Sequence, residues 1–409
     1  MKRGPLLYIS YDFPPILSPE SIQSCRTAKY LFLRGWEPLV LASEEEPVFE
    51  SIDPELSTLI PKGLEIHRSE SFPLVFFMKM LQVYHALLGD PDRKRWWVKH
   101  ALPLALNIIS EKKPDLIYSH ANPLTCHMLA LTLKQKTELP WVAHFSDPWV
   151  DNPYFRYRDP IRKRLNQRLE KLAFDNADAV IFTTDETRKI YSKKYPHQKF
   201  FVVPHSFDPD ILNISPNQEE RNSLQFVHTG SVYGLRTPEP LFQGLSSFIG
   251  RYPGIKSSLE FLFVGRFDRR FRPLIRRYGL GDVVKIRGTV PYLESLRILK
   301  KADVLLLIEA ASEEESIFLP SKLVDYVGIG KPIFAITPSK GPTARFIRDG
   351  GFFSADPLHP REIGDVLNAI WQRYQKRELG EGGSDIQAAY SAIKASERLE
   401  KIFDGLLLT

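Results

Sequence analysis

The chain has 409 residues, more than one hydrophobic core usually serves, so two domains are expected. Its composition, 43% hydrophobic and 25% charged, is that of an ordinary globular protein. The net charge of +6 lies mainly in three basic segments, residues 93–99, 155–168 and 265–277, which favour an anionic partner unless they are solvated helix faces.

Cys25 and Cys126 are too few for a disulfide framework, which excludes a disulfide-stapled fold and fits a reducing compartment. No signal peptide is expected, because the apolar run near the start is far shorter than an h-region. The longest apolar stretch, residues 71–89, is interrupted by polar side chains and should not span a bilayer. It fits a core helix and an amphipathic surface helix equally well. We therefore expect a cytoplasmic protein, with peripheral attachment to the inner face of the membrane left open.

Short apolar runs alternate with segments of helical period along the whole chain. They are PLLYIS, EPLVLA, DLIYS, WVAHF, AVIFTT and FFVVP in the first half, and LQFVHTG, LEFLFVG, VVKIRG, ADVLLLI and PIFAIT in the second. Near-continuous apolar strands separated by helices are typical of parallel sheets covered on both faces. The predicted fold class is α/β with two such sheets. Residues 205–223, crowded with turn formers and charges, are predicted to be an interdomain linker.

The first strand is followed by the loop YDFPPILSPES and then by a helix. Ser18 can cap this helix, with Pro19 at its first position and Glu20 in its first turn, and Gly35 should end it. A strand, loop and helix of this type can offer backbone N–H groups to a ligand. The chain has no G-x-G-x-x-G motif, so a dinucleotide-binding site is not supported.

The second half begins in the same way. Gly230 and Ser231 follow its first strand, and the glycine lets the backbone come close to a ligand. Thr237 and Pro238 are predicted to start the next helix. Arg236, at the start of that helix, suits a phosphate through paired N–H donors, although a surface arginine would look the same.

The stretch FLPSKLVDYVGIGKP predicts a short helix whose start suits an anion. Pro320 fits at or near the first helical position, which leaves the free N–H groups of Ser321, Lys322 and Leu323 at the positive end of the helix dipole. Asp325 lies on the same face, where a carboxylate accepts hydrogen bonds from hydroxyl groups. This order fits a nucleotide, with its diphosphate at the helix end and its ribose at the aspartate. The alternative is an intrahelical lysine–aspartate pair without function.

The segments VVKIRGTVPYLESLRILKKADVLLLI, LPSKLVDYVGIGKPIFAI and FIRDGGFFSADPLHPREIGDVLNAI follow one another in the second half. The first half contains ISYDFPP, LRGWEPLVL, AVIFTTDETRKIY and VVPHSFD. In this order the segments resemble glycosyltransferase family 4, the group 1 glycosyltransferases, over nearly the whole chain. The ordered combination is far more specific than any single motif.

This resemblance implies the GT-B architecture, in which two Rossmann-like domains face each other across a cleft. Residues 1–205 would form the acceptor-side domain, residues 206–384 the nucleotide-sugar domain, and residues 385–409 a terminal helix that packs back on the first domain. The family transfers with retention of configuration and uses no divalent metal or other cofactor, its donor being a nucleotide-diphosphate sugar. The D-P-D triplets at residues 90–92 and 208–210 are therefore interpreted as turns.

The resemblance also implies roles for residues that match the family's motifs. Asp325 stands at the second acid of a Glu-x7-Glu motif, which holds the ribose hydroxyls, and Lys322 belongs to the PSK form of that helix. Arg236 matches the cation of the glycine-rich loop, so Arg236 and Lys322 would stabilise the leaving diphosphate. The other donor-side candidates are Ser321, Gly230, Ser231 and Val290.

The stretch WVAHFSDPW contains the candidates for the acceptor side of the site. Asp147 follows the predicted strand and is the candidate for a polar contact or a base. His144 lies before the strand's end, so a core histidine is the more expected reading. Trp149 could stack on a sugar ring, and a buried tryptophan explains it equally well. Glu315 is a further candidate for contact with the sugar.

Two departures from the family pattern bear on catalysis. Ile317 stands where the family has the first acid of the Glu-x7-Glu motif, so that acid is missing or is supplied by Glu313, Glu314 or Glu315. The pair Ser18-Pro19 replaces two glycines, which stiffens the loop after the first strand.

The leading hypothesis is a retaining glycosyltransferase that moves a sugar from a nucleotide diphosphate to a hydroxyl acceptor, for which a lipid-linked saccharide in polysaccharide or glycolipid synthesis is one possibility. Basic segments with aromatic residues that are predicted to be exposed, Phe76-Phe77, Trp96-Trp97 and residues 162–168, suit an anionic membrane surface. A catalytically silent nucleotide-sugar binding protein is the alternative, and an epimerase is a smaller one. No nucleic-acid partner is expected, because no recognition motif is present and the basic residues alternate with acids.

Overall fold

The computed structural model divides into two compact units. The first comprises Met1–His205 with Ala392–Thr409, and the second comprises Ser206–Ser391. The residues described are 3–44, 51–70, 91–92, 94–154, 157, 159–214, 223–380 and 383–408. Residues 71–89 lie outside these ranges, so the predicted role of that stretch and of Phe76-Phe77 stays a prediction. None of the helices described is long and apolar enough to cross a membrane.

A seven-stranded parallel sheet forms the centre of the first unit, in the order β3-β2-β1-β4-β5-β6-β7. Its strands are β1 (Pro5–Ile9), β2 (Glu37–Ser43), β3 (Glu65–Ser69), β4 (Leu116–Ala121), β5 (Trp141–Phe145), β6 (Ala179–Phe182) and β7 (Phe200–Val202). Its helices are Pro19–Leu33, Trp97–Lys112, Thr125–Thr137, Pro160–Asn176, Asp185–Lys194 and Ala392–Leu407. Alternate side chains of a strand point to opposite faces, so Leu7 and Ile9 join one apolar core while Leu6 and Tyr8 join the other.

The terminal helix Ala392–Leu407 belongs to this first unit. Its Phe403 packs edge-on against Trp36, with ring centroids 5.3 Å apart. Arg34, which follows the first helix, forms an ion pair with the buried carboxylate of Glu400. The terminal helix therefore completes the apolar cover of one face of the sheet.

The second unit contains a six-stranded parallel sheet in the order β10-β9-β8-β11-β12-β13. Its strands are β8 (Leu224–Thr229), β9 (Leu259–Val264), β10 (Val284–Arg287), β11 (Val304–Ile308), β12 (Ile333–Ile336) and β13 (Phe353–Ala355). Its helices are Glu239–Arg251, Arg272–Arg277, Tyr292–Lys301, Ser321–Ile329, Pro342–Asp349, Pro360–Gln375 and Ser384–Ala389. Every apolar run singled out in the sequence forms a strand, which confirms the predicted α/β fold class.

The predicted linker is wrong for its first residues, because residues 206–214 pack on the second unit. Phe207 is buried against Gly328, and a Cβ at Gly328 would lie 2.6 Å from its ring. A 3-10 helix, Pro209–Asn213, follows and buries Ile211. Asp208 accepts a hydrogen bond from the amide of Asp210 at 3.0 Å, as a turn requires. Residues 215–222 lie outside the residues described.

Candidate functional site

The loops after β8 and β9 approach each other closely in the second unit. Gly230 and Gly265 have φ angles of 99° and 124°, in the region that favours glycine. A Cβ at Gly265 would lie 2.6 Å from the carbonyl oxygen of Gly230, and a Cβ at Gly230 would lie 2.8 Å from Lys322 Nζ. Glycine is therefore required where this backbone meets the lysine ammonium.

The predicted helix spans Ser321–Ile329, with Pro320 next to its first residue as expected. Pro320 is its N-cap residue, and the amide of Leu323 donates to the Pro320 carbonyl at 2.9 Å, so the prediction that this amide is free is wrong. Tyr326 fixes the helix to the sheet, because its hydroxyl accepts from the Thr229 amide at 3.0 Å. The first two amides, those of Ser321 and Lys322, lie at the positive end of the helix.

Lys322 points from this helix to the carboxyl end of β8. Its Nζ lies 3.3 Å from His228 Nε2, while His228 Nδ1 lies 2.9 Å from the Leu306 carbonyl oxygen. Because that carbonyl can only accept, Nδ1 carries the proton and Nε2 is the acceptor for the ammonium. Burial, and next the Lys322 charge, hold the pKa of His228 well below its usual range, so the ring is neutral.

Arg236 and Glu309 are charged neighbours of Lys322. Burial, and then the Arg236 guanidinium, lower the pKa of Lys322 to about 7, whereas the Glu309 carboxylate acts in the opposite direction. Glu309 follows β11 and is 4% exposed, and the Thr337 hydroxyl donates to it at 2.5 Å. Burial raises the pKa of Glu309, while its hydrogen bonds and the two cations partly offset that effect. The Arg236 guanidinium is thus close enough to Lys322 to act on its charge.

The remaining donor-side candidates lie in three different segments of the second unit. Asp325 lies one turn after Lys322 and accepts from the Tyr292 hydroxyl at 3.1 Å. Val290 is half-buried in the loop that precedes Tyr292. Ser231, in the loop after β8, is also half-buried.

None of the three glutamates proposed to replace the missing acid is buried. Glu313, Glu314 and Glu315 are exposed, and Glu315 forms an ion pair with Arg345 at 3.7 Å. The acid that the fold does bring to the cations is Glu309. Sequence reasoning missed Glu309 because it directly follows an apolar strand, and missed His228 because it lies inside one.

In the first unit, Asp147 follows β5 and accepts from the Asn122 side-chain amide at 3.2 Å. His144 is buried within β5, where Tyr118 Oη lies 2.6 Å from its Nδ1. Trp149 is 2% exposed, and its indole N–H donates to Asn166 Oδ1 at 2.9 Å. The Trp149 ring therefore belongs to the core and is not presented to a sugar.

The described part of the chain holds no group of three or more His, Cys, Asp or Glu side chains placed to bind a metal ion. Asp92, the described acid of the first D-P-D triplet, accepts from the amides of Lys94 and Thr125, both at 2.8 Å. Asp90 lies outside the residues described. Asp92 thus fixes local backbone.

Residues 25–211 match the model of the family described as Glycosyltransferase Family 4. This match agrees, over that segment, with the family resemblance seen in the sequence. A search with the sequence finds no significant match among curated proteins.

The chain is similar in structure to sucrose-phosphate synthase from Thermosynechococcus elongatus, with a TM-score of 0.71 at 16% identity, covering 99% of this chain and 100% of that one. A glycosyltransferase from Rickettsia africae ESF-5 gives 0.66 at 14% identity, with 100% and 99% covered. WaaG, a glycosyltransferase involved in lipopolysaccharide biosynthesis, gives 0.58 at 16% identity, with 97% and 95% covered. The chain has the two-domain α/β fold of the GT-B glycosyltransferases.

Proposed function

We propose that this protein is a glycosyltransferase that binds a nucleotide-diphosphate sugar beside Arg236 and Lys322 and transfers the sugar to a hydroxyl acceptor. The observation that carries the proposal is the position of the Lys322 ammonium, next to Gly230 and within the field of Arg236. Two cations, one at the start of a helix and one in the loop after β8, suit a diphosphate. The match of residues 25–211 to Glycosyltransferase Family 4 supports a nucleotide-sugar diphosphate as this anion.

In the transfer step, negative charge grows on the leaving diphosphate. Arg236 can donate two parallel hydrogen bonds to phosphate oxygens, and Lys322 supplies a point charge. Cations held in place before the reaction stabilise that charge without reorganisation. Asp325 accepts hydrogen bonds from the ribose hydroxyls in this proposal. Transfer with retention of configuration and without a divalent metal remains part of the proposal and follows from the family resemblance.

A thermal-shift screen with UDP-, GDP- and ADP-sugars tests the donor site. A ligand at about 100 times its dissociation constant stabilises a folded protein by about 2.7 kcal/mol, which is easily seen as a raised midpoint. Lys322→Ala and Asp325→Ala should both reduce the shift given by the best nucleotide sugar. Lys376→Ala, at an exposed lysine beyond the helix Pro360–Gln375, is the matched control. Unchanged shifts in both site variants would contradict the assignment.

A catalytically silent nucleotide-sugar binding protein is the second candidate, favoured by Ile317 and by the stiff Ser18-Pro19 pair. Release of free sugar from the donor found in the screen separates the two functions. Turnover that falls in Arg236→Ala but not in Arg276→Ala, at an exposed arginine, supports the transferase. Tight binding without turnover of any donor supports the silent protein.

For the acceptor we propose a lipid-linked saccharide, reached from an anionic membrane surface. The helix Pro160–Asn176 exposes Ile161 by 76%, Leu165 by 42% and Leu172 by 46%, at spacings that place them on one face. Basic side chains lie beside them, which is the pattern of an interfacial helix.

Vesicle flotation tests this surface. The protein should float with vesicles that contain anionic lipid and remain unbound with neutral ones, and replacement of the three apolar residues by Ser should abolish flotation. Absence of flotation in both cases would remove the membrane proposal. The prediction of exposed aromatics at Trp96-Trp97 is wrong for Trp97, which is fully buried against Tyr11.

A further inference from the structure

Strands β8 and β11 separate before their carboxyl ends in the second sheet. The last residues paired between them are Val227 and Leu305, although β8 continues to Thr229 and β11 to Ile308. On its other side, β8 stays paired with β9 as far as Thr229. The order of the strands along the chain also reverses direction between β8 and β11. Ligands of open parallel sheets bind at such a point, beyond the carboxyl ends of the strands.

The hydroxyl group of Tyr326 lies in the gap between the two separated strands. It accepts a hydrogen bond from the Thr229 amide of β8 at 3.0 Å and donates one to the Leu306 carbonyl oxygen of β11 at 3.2 Å. An amide of one strand and a carbonyl of the other are thus joined through a buried side chain. Because a hydroxyl group stands between them, the strands stay farther apart than a direct hydrogen bond would hold them.

His228 of β8 uses the same carbonyl group. Its Nδ1 donates to the Leu306 oxygen at 2.9 Å, so this oxygen accepts from both Tyr326 and His228 and its two lone pairs are occupied. The ring is 1% exposed and lies against Phe263, with ring centroids 5.8 Å apart. The orientation of the ring is therefore fixed, with the lone pair of Nε2 directed at the Lys322 ammonium, 3.3 Å away.

Lys322 and Tyr326 are four residues apart on one helix and therefore share a face. Tyr326 contacts the Leu306 carbonyl directly, and Lys322 is connected to the same carbonyl through His228. A lysine side chain is flexible, and one that is held before the ligand arrives loses less freedom when the ligand binds. The two contacts thus place the ammonium in advance at the gap between β8 and β11.

The hydrogen bond to His228 occupies only part of the ammonium group. Among the residues described, His228 Nε2 is the one hydrogen-bond partner of Lys322 Nζ. An ammonium carries three N–H groups, so two are left for a ligand. Gly230 leaves room beside them, because a Cβ at that position would lie 2.8 Å from Nζ. Phosphate oxygens are the acceptors that suit these two donors.

We infer that His228 is a positioning residue that holds the Lys322 ammonium for the diphosphate of the donor, and that Tyr326 keeps β8 and β11 apart at this point. This inference rests on the proposed transferase function. His228 takes up no proton in this role, because Nδ1 remains bonded to the Leu306 carbonyl and Nε2 only accepts. Its effect on the donor therefore passes entirely through Lys322.

Nitrogen NMR of the His228 ring tests the arrangement in the full-length protein without any ligand. We expect a single neutral tautomer from about pH 6 to 9, with the proton on Nδ1 and none on Nε2. The ring signals are assigned by their absence in His228→Gln. A proton on Nε2, or a doubly protonated ring, in the parent protein would overturn the inference.

Dissociation constants of the nucleotide sugar that gives the largest thermal shift test the role of His228 in donor binding. His228→Leu should weaken binding about tenfold in the parent protein and should have no effect in Lys322→Ala, because the histidine acts through the lysine. His228→Gln, whose side-chain oxygen can accept from the ammonium, should restore most of the affinity. His359→Leu, at an exposed histidine of the same unit, should bind like the parent. An equal loss in both backgrounds, which a purely structural role would give, would overturn the inference.

Tyr326→Phe keeps the ring and removes the hydroxyl group between the strands. It should weaken binding of the same nucleotide sugar about tenfold, whereas Tyr252→Phe, at a half-exposed tyrosine of the same unit, should not. Equal affinity in Tyr326→Phe and the parent would overturn the role of Tyr326. Failure of every UDP-, GDP- and ADP-sugar to bind the parent would instead reject the donor site and the role of His228 in it, whatever tautomer the ring adopts.

Discussion

Binding of a nucleotide sugar should be coupled to proton uptake by Lys322. In the free protein, burial and the Arg236 guanidinium lower the pKa of this lysine to about 7. A diphosphate placed beside the ammonium favours the charged form, so the pKa rises in the complex. The electrostatic gain is present in full below pH 7, where the free protein already carries the charge. It is lost progressively as the pH rises from 7 toward the pKa of the complex.

The size of the effect follows from the low starting pKa of Lys322. At pH 8 about nine-tenths of the free molecules carry the neutral amine, so binding takes up about 0.9 proton. The affinity should fall about tenfold per pH unit above neutrality, or roughly 25-fold between about pH 6.5 and 8.5. An intact nucleotide sugar suits the measurement better than a nucleotide, because its diphosphate is esterified at both ends and does not titrate in this range.

Isothermal titration calorimetry in two buffers of different ionisation enthalpy measures the uptake directly. Glu309→Gln removes the carboxylate that supports the ammonium, so the loss of affinity should begin at lower pH than in the parent protein. Glu314→Gln, at an exposed acid nearby, should leave the profile unchanged. A binding enthalpy that is the same in both buffers, with an affinity independent of pH, would refute proton uptake by Lys322.

Three substitutions test side-chain packing and buried hydrogen bonds in the two units. Gly230→Ala should cost about 1–2 kcal/mol through its positive φ and should abolish the donor thermal shift, because the new Cβ would displace Lys322. Glu170→Ala removes a fully buried carboxylate that accepts four hydrogen bonds, and urea unfolding should show a loss of about 3–5 kcal/mol. Gly328→Ala should destabilise the second unit by about 1–3 kcal/mol through overpacking against Phe207.

For each of the three substitutions, one outcome would contradict the predicted effect. Gly254 has open space around it and no positive φ, so Gly254→Ala is the control for both glycine variants. If the nucleotide sugar still raised the unfolding midpoint of Gly230→Ala, the position of Lys322 would not depend on this glycine. An unfolding midpoint unchanged in Glu170→Ala would show that the buried carboxylate is dispensable, and the same result for Gly328→Ala would contradict the packing of residues 206–214.

The interior of both sheets could be predicted from the sequence because buried parallel strands read as continuous apolar runs. The edge strands Glu65–Ser69 and Phe353–Ala355 could not. The first is mostly polar and largely half-buried, and the second has only three residues, of which one is buried. The cap of the first helix was predictable from chemistry alone. Ser18 Oγ accepts from the Ser21 amide at 3.0 Å, with Pro19 in the first turn as expected.

The charged partners of the candidate site were predictable only in part. Lys322 and Asp325 lie on one helix, so their spacing placed them together, and Arg236 came from its position before a predicted helix and from the family resemblance. Glu309 is not on the helix of Lys322 and belongs to no recognisable motif. The fold of the sheet, and not local spacing, brings its carboxyl group to the cations. The sequence pattern also did not determine that the side chains of Trp97 and Trp149 are buried.

A double-mutant cycle on the dissociation constant of the best nucleotide sugar tests the central claim most directly. Arg236→Ala and Lys322→Ala should each weaken binding by about 10- to 100-fold, as expected for a charge-assisted hydrogen bond of about 1.5–3 kcal/mol. The double variant should lose less than the product of the two factors, because both cations contact one diphosphate. Affinities unchanged in both single variants, or losses that multiply as for distant sites, would contradict a shared diphosphate site.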